Sequence, residues 1–124
     1  MNAREFLVSQ LEPVMPSTVK VEKYAREVDS PTRHSLLLVR IDDVAPHPSG
    51  IPGQRLYSFG LVLIPRKRAT GSGDDELDNA LEDVLHAIDE ADDIVWTRAE
   101  RGTYEDSTHP AYDVTVQVAL TKEK

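Results

Sequence analysis

Two runs of four apolar residues, Leu36-Leu37-Leu38-Val39 and Leu61-Val62-Leu63-Ile64, constrain this chain more than any other feature. Each is far shorter than the roughly twenty apolar residues that a membrane-spanning helix needs. Each lies within a longer strand-like segment, one from about Ser35 to Val44 and one from about Arg55 to Ile64, where Pro65 stops it. Successive side chains of a strand point to opposite faces, so a continuous apolar run is apolar on both. Leu36 and Leu38 stand opposite Leu37, Val39 and Ile41, and Leu56, Val62 and Ile64 stand opposite Tyr57, Phe59, Leu61 and Leu63. With 124 residues the chain makes one domain, so its sheet has a centre that must be covered twice.

The remaining elements follow from periodicity and capping. Asn2 caps a first helix, with Glu5 three residues later completing a capping box, and Ala3, Phe6, Leu7 and Leu11 share one face. Pro13 and Pro16 end it. A strand follows over about Thr18 to Val28, with Val19 and Val21 alternating against Lys20 and Glu22, and Ser30-Pro31 marks a turn. Ala69 to Gly73 reads as a flexible connector. The second helix runs from about Asp74 to Ala91, where Leu77, Ala80, Leu81, Val84, Leu85 and Ile88 form an amphipathic stripe. A fourth strand spans about Ile94 to Tyr104. A fifth spans about Ala111 to Thr121, with Tyr112, Val114, Val116, Val118 and Leu120 on its buried face. The expected fold is α+β, in the order α-β-β-β-α-β-β, a mostly antiparallel sheet of about five strands with both helices packed on one face. Two helices cover one face only. The other apolar centre needs either a curled sheet or a neighbouring subunit, and the polar alternation of the fifth strand favours the neighbour.

Between the second and third strands lies Ala45-Pro46-His47-Pro48-Ser49-Gly50-Ile51-Pro52-Gly53-Gln54. Its prolines predict a stiff, projecting loop rather than a tight turn. Pro46, His47, Pro48, Ile51 and Pro52 are candidate protein-contact residues, with Ile51 an apolar tip that no local core buries. The basic cluster Arg66-Lys67-Arg68 reads either as a solvated loop or as part of the same kind of interface.

The net charge is −8, and between Asp74 and Asp93 there are ten acidic residues and no Lys or Arg. Outside that window the chain is slightly basic, so the acidity belongs to one element. Such a chain does not grip nucleic acid, which needs clustered cations against phosphate. Asp75, Asp78, Glu82 and Asp89 are candidates for an acidic face of the second helix that meets a lumen or a basic partner.

No constellation points to catalysis. The chain has no cysteine, which excludes disulfides, zinc ribbons and thiol chemistry. His34, His47, His86 and His109 share no metal motif, and His86 with Glu82 and Glu90 on a solvated helix face makes a poor site. Gly71-Ser72-Gly73 precedes a helix as a phosphate loop would, but Asp74, Asp75 and Glu76 would repel phosphate. Paired carboxylates such as Asp42-Asp43 name no general acid and base in an acidic chain, and no serine lies in a glycine elbow. Trp96 reads as core or subunit interface. Arg4 and Glu5 interrupt the N-terminal apolar stretch, so no signal peptide is expected. No enzymatic activity, metal, cofactor or membrane association is expected.

The whole chain resembles the tail terminator proteins of long, non-contractile-tailed bacteriophages. The resemblance is carried by the helix from Ala3 to Leu11, by Val19 and Val21, by Leu36-Leu37-Leu38-Val39-Arg40 and by Tyr57-Ser58-Phe59-Gly60. It continues through Asn79-Ala80-Leu81-Glu82-Asp83-Val84-Leu85, Val95-Trp96-Thr97-Arg98-Ala99 and Pro110-Ala111-Tyr112-Asp113-Val114-Thr115-Val116. These are fold-pattern signals without a catalytic signature, and other head–tail joining proteins share them. The resemblance implies a structural virion protein at the head-proximal end of the tail. It implies a homo-oligomer, a ring of six on the last ring of tail tube protein, ending tube growth and offering a surface to a head completion or connector protein. DNA would pass through the ring without specific binding. The alternative from another class is a small acidic adaptor that binds one protein partner.

Overall fold

The computed structural model describes residues 2–23, 35–64, 71–91, 93–104 and 109–121. The order of elements is the expected one: α1 (Ala3–Leu11), β1 (Val19–Glu22), β2 (Ser35–Pro46), β3 (Gln54–Ile64), α2 (Gly71–Glu90), β4 (Ile94–Tyr104) and β5 (His109–Thr121). The capping box closes α1 reciprocally. Asn2 Oδ1 accepts the Glu5 N–H at 2.8 Å, and Asn2 Nδ2 donates to Glu5 Oε1 at 3.1 Å. Helix α2 starts at Gly71, three residues before the expected Asp74. First-turn N–H groups have no partner within a helix, so glycine loses less there than in a helix interior.

The five strands lie in the order β1-β2-β3-β5-β4. β2–β3, β3–β5 and β5–β4 pair antiparallel, and β1 pairs parallel to β2 through Val19–Glu22 and Ser35–Leu38. The parallel pair departs from the antiparallel block expected of three consecutive strands. The dozen residues between β1 and β2 match the length of a crossover rather than a hairpin. The rest of the first strand expected, up to Val28, and the Ser30-Pro31 turn lie outside the described residues. β3 and β4 run in the same direction with β5 inserted between them, and α2 joins them across the sheet.

Both helices pack on one face. There Leu37, Val39, Phe59, Leu61, Leu63, Val114, Val116 and Val118 meet Leu7 and Leu11 of α1 and Leu77, Val84 and Ile88 of α2. On the reverse face Leu36, Leu38, Val62, Ile64 and Ala111 form a second cluster, none more than 5% exposed. This cluster corrects the expectation of a neighbouring subunit over that centre, because its side chains are already buried within one chain. The doubly apolar zone is short: on the same face Asp113 already stands beside Val62, Thr115 lies level with Arg40, and Ser58 and Gln117 follow beyond it.

Two ladders contain a bulge, the β2–β3 ladder between Ile41 and Asp43 and the β4–β5 ladder between Trp96 and Arg98. The first inserts Asp42 and keeps Val44, opposite Tyr57, on the face shared by Ile41 and Phe59.

Candidate functional site

The expected loop is shorter and more ordered than its ten residues suggest, because β2 and β3 stay paired out to Pro46 and Arg55. The His47 N–H donates to Gln54 O at 3.0 Å and continues the ladder one step further. Inside this frame the Gly50 N–H donates to His47 O and the Gln54 N–H to Ile51 O. Gly50 and Gly53, at φ +75° and +85°, supply the left-handed positions the reversal requires. Side chains tie the loop further. The Ser49 N–H donates to His47 Nδ1 at 3.0 Å, and the Ser49 hydroxyl donates to Gln54 Oε1 at 2.7 Å. Pro46, Pro48, Ile51 and Pro52 are exposed and His47 is half-buried. The loop and adjoining strand ends enclose a shallow concavity of about 400 Å³ that includes Val44, His47, Ile51 and Arg55.

The structure adds two apolar residues to this exposed surface. Ile41 and Val44 lie on the helix side of the sheet, yet they are 41% and 47% exposed, and Ile51 is 57% exposed. Helix packing ends before this outer half of the hairpin, so the three residues form an uncovered apolar strip next to Tyr57. Val95, 62% exposed, stands apart on the reverse face of β4. Arg66, Lys67 and Arg68 lie outside the described residues.

The acidic residues of α2 do not act as one free face. Asp89 accepts the Trp96 indole N–H at 3.0 Å. Asp78 accepts the Tyr112 hydroxyl at 3.0 Å and pairs with Arg101 Nη1 at 3.5 Å, while the Arg101 guanidinium lies 5.4 Å above the Tyr112 ring. Asp78 and Asp89 therefore fasten α2 to β4 and β5, and Asp78 has a cation beside it in Arg101. Glu82 is exposed and lies between them on the helix surface. Asp75 falls within α2, and its side chain is not among those described. Glu90 pairs with His86 at 3.1 Å. Among the described residues no group of three His, Asp or Glu side chains comes together as a metal ion would require.

One polar cluster has a single signal in the sequence, a glycine in mid-strand. A Cβ at Gly60 would collide with the guanidinium of Arg40, which lies across β3 at this point. From there Arg40 Nε donates to Asp42 Oδ1 at 2.7 Å and Nη2 donates to Asp113 Oδ2 at 3.0 Å on β5. The Asp42 hydrogen bond foremost, with Asp113 beside it, holds the guanidinium above its ordinary pKa against the opposing effect of partial burial. The cluster spans three strands and stiffens the sheet where the exposed half of the hairpin begins.

No described helix is long and apolar enough to cross a membrane. No family model and no curated protein sequence matches the chain.

Proposed function

We propose that this chain is a tail terminator: a ring-forming structural protein that caps a phage tail tube, ends its polymerisation and offers the surface that joins tail to head. The observation that carries the reading is the hairpin of β2 and β3. It extends past the helix-covered core, is tied by backbone and side-chain hydrogen bonds, and presents Ile41, Val44 and Ile51 to solvent. A stiff apolar projection loses little conformational entropy on docking, which suits an interface that must form once and hold. The sequence resemblance supplies the identity of the partners: further copies of this chain in a ring of six, the tail tube protein, and a head completion protein. In this reading the ring sits at the head-proximal end of the virion tail and DNA passes through it unbound. Among the described side chains, Glu82 and Asp83, exposed on α2, are acids that can keep a passage non-adhesive or meet a basic partner.

A second reading is favoured by one observation. The Leu36, Leu38, Val62, Ile64 and Ala111 cluster is buried within a single chain, so folding itself makes no demand for a neighbour. A monomeric acidic adaptor would use the same hairpin against one partner.

Electron microscopy of the purified protein, alone and mixed with tail tubes, separates the two. The terminator reading expects rings seated on tube ends, and expects removal of residues 48–52 to leave the melting temperature nearly unchanged while abolishing capping. Uncapped tubes beside a chain that stays monomeric by light scattering overturn it.

A further inference from the structure

We propose that His47 is a proton-operated latch for the tip of the β2–β3 hairpin: the neutral imidazole holds the tip closed and the imidazolium releases it. The Ser49 N–H donates to His47 Nδ1 at 3.0 Å, so Nδ1 carries a lone pair and the ring proton sits on Nε2. Ser49 is in turn the hub of the tip. Its hydroxyl donates to Gln54 Oε1 at 2.7 Å and accepts the Ile51 N–H at 3.4 Å. A second proton on the ring converts Nδ1 into a donor facing another donor. The hydrogen bond is lost, and the Ser49 turn that positions Ile51 keeps only the Gly50 N–H bond to His47 O and the Ser49 hydroxyl bond to Gln54. The bond from the His47 backbone N–H to Gln54 O does not involve the ring, so the ladder survives and the release is confined to the tip.

Among the described residues, one charged side chain lines the concavity around His47, the cation Arg55. Asp43, the nearest carboxylate along β2, stands on the reverse face beside Ser58. The sign follows directly: the closed tip binds one proton fewer than the open tip, so closure is favoured as pH rises and lost as it falls. The latch goes beyond the functional reading and does not depend on it, because it is measured on the chain alone.

The test is amide exchange of Ser49 by NMR between pH 8 and pH 5, corrected for the intrinsic rate, alongside the nitrogen shifts of the His47 ring. The expected result is an Nε2–H ring at pH 8 and a Ser49 amide protected at least about tenfold, with protection lost in step with the His47 titration. H47N supplies the control. The Asn Oδ1 stands where Nδ1 stood, accepts the same bond and takes no proton, so its Ser49 protection should not fall at pH 5. H47A should show no protection at either pH. A ring protonated on Nδ1 at pH 8 overturns the proposal. So does wild-type protection equal at both pH values, or the same pH dependence in H47N as in the wild type, which would assign the effect to another histidine.

Discussion

Gly60 and Arg40 form a pair in which each explains the other. The guanidinium lies flat over β3 only because no side chain rises from position 60, and it reaches Asp113 only by lying flat. A Gly60→Ala change meets the end of a flexible side chain rather than backbone, so Arg40 swings away and the chain still folds. What is lost is a partly exposed ion-pair cluster, about 1 kcal/mol. Urea denaturation should show that loss in Gly60→Ala and little further loss in Gly60→Ala combined with Arg40→Ala, a coupling that a generic strand defect at position 60 would not give. The other residue-scale prediction concerns Asn2. Replacing it with alanine removes both halves of the capping box and should cost about 1 kcal/mol, read from the same denaturation curve. The cap was legible in the sequence because its partners are three residues apart. The Arg40 cluster was not, because Arg40 and Asp113 are 73 positions apart and meet only across the sheet.

At the scale of elements, helix α2 was readable as an amphipathic stripe, and the residues it buries are those of that stripe. Its attachment was hidden. Trp96 and Asp89 become partners only once α2 runs antiparallel along β4, and nothing local in either segment announces that arrangement. The bulges at Asp42 and Thr97 were also hidden, since one extra polar residue in a strand looks like ordinary alternation. The acids of α2 therefore fall into two groups with opposite expected behaviour. Asp78→Lys and Asp89→Lys should each lower stability, by about 0.5–1.5 kcal/mol, since each removes the acceptor of a hydrogen bond from the sheet and puts a cation in its place. Glu82→Lys and Asp83→Lys should leave the thermal melt within about 0.5 kcal/mol of wild type, as surface changes do. Equal melts for all four variants would mean that the contacts of Asp78 and Asp89 contribute nothing to holding the helix.

For the whole molecule, the order of the elements and the single helix-bearing face were both implied by the patterning, while the cover of the second face was misjudged. Counting apolar positions carried the second apolar face as far as Leu56, whereas the cluster buried on that side holds Leu36, Leu38, Val62, Ile64 and Ala111. Leu38→Ala should cost about 2–5 kcal/mol, as for a buried leucine. The loss should be the same at low and high protein concentration; a concentration-dependent loss would place a neighbouring chain over the cluster. The parallel placement of β1 has a further consequence, for the time course of folding. Every other ladder joins antiparallel strands, and β2–β3 and β4–β5 close over short connections. β1 reaches the sheet only through a crossover, and Arg4 of α1 secures it by donating to Lys23 O at 2.8 Å and Val39 O at 2.7 Å. The carbonyl of Val39 exists as a docking point only after β2 is in place. Among the described residues β1 pairs with β2 alone, so the N-terminal strand is expected to take its place in the sheet no earlier than β2 does.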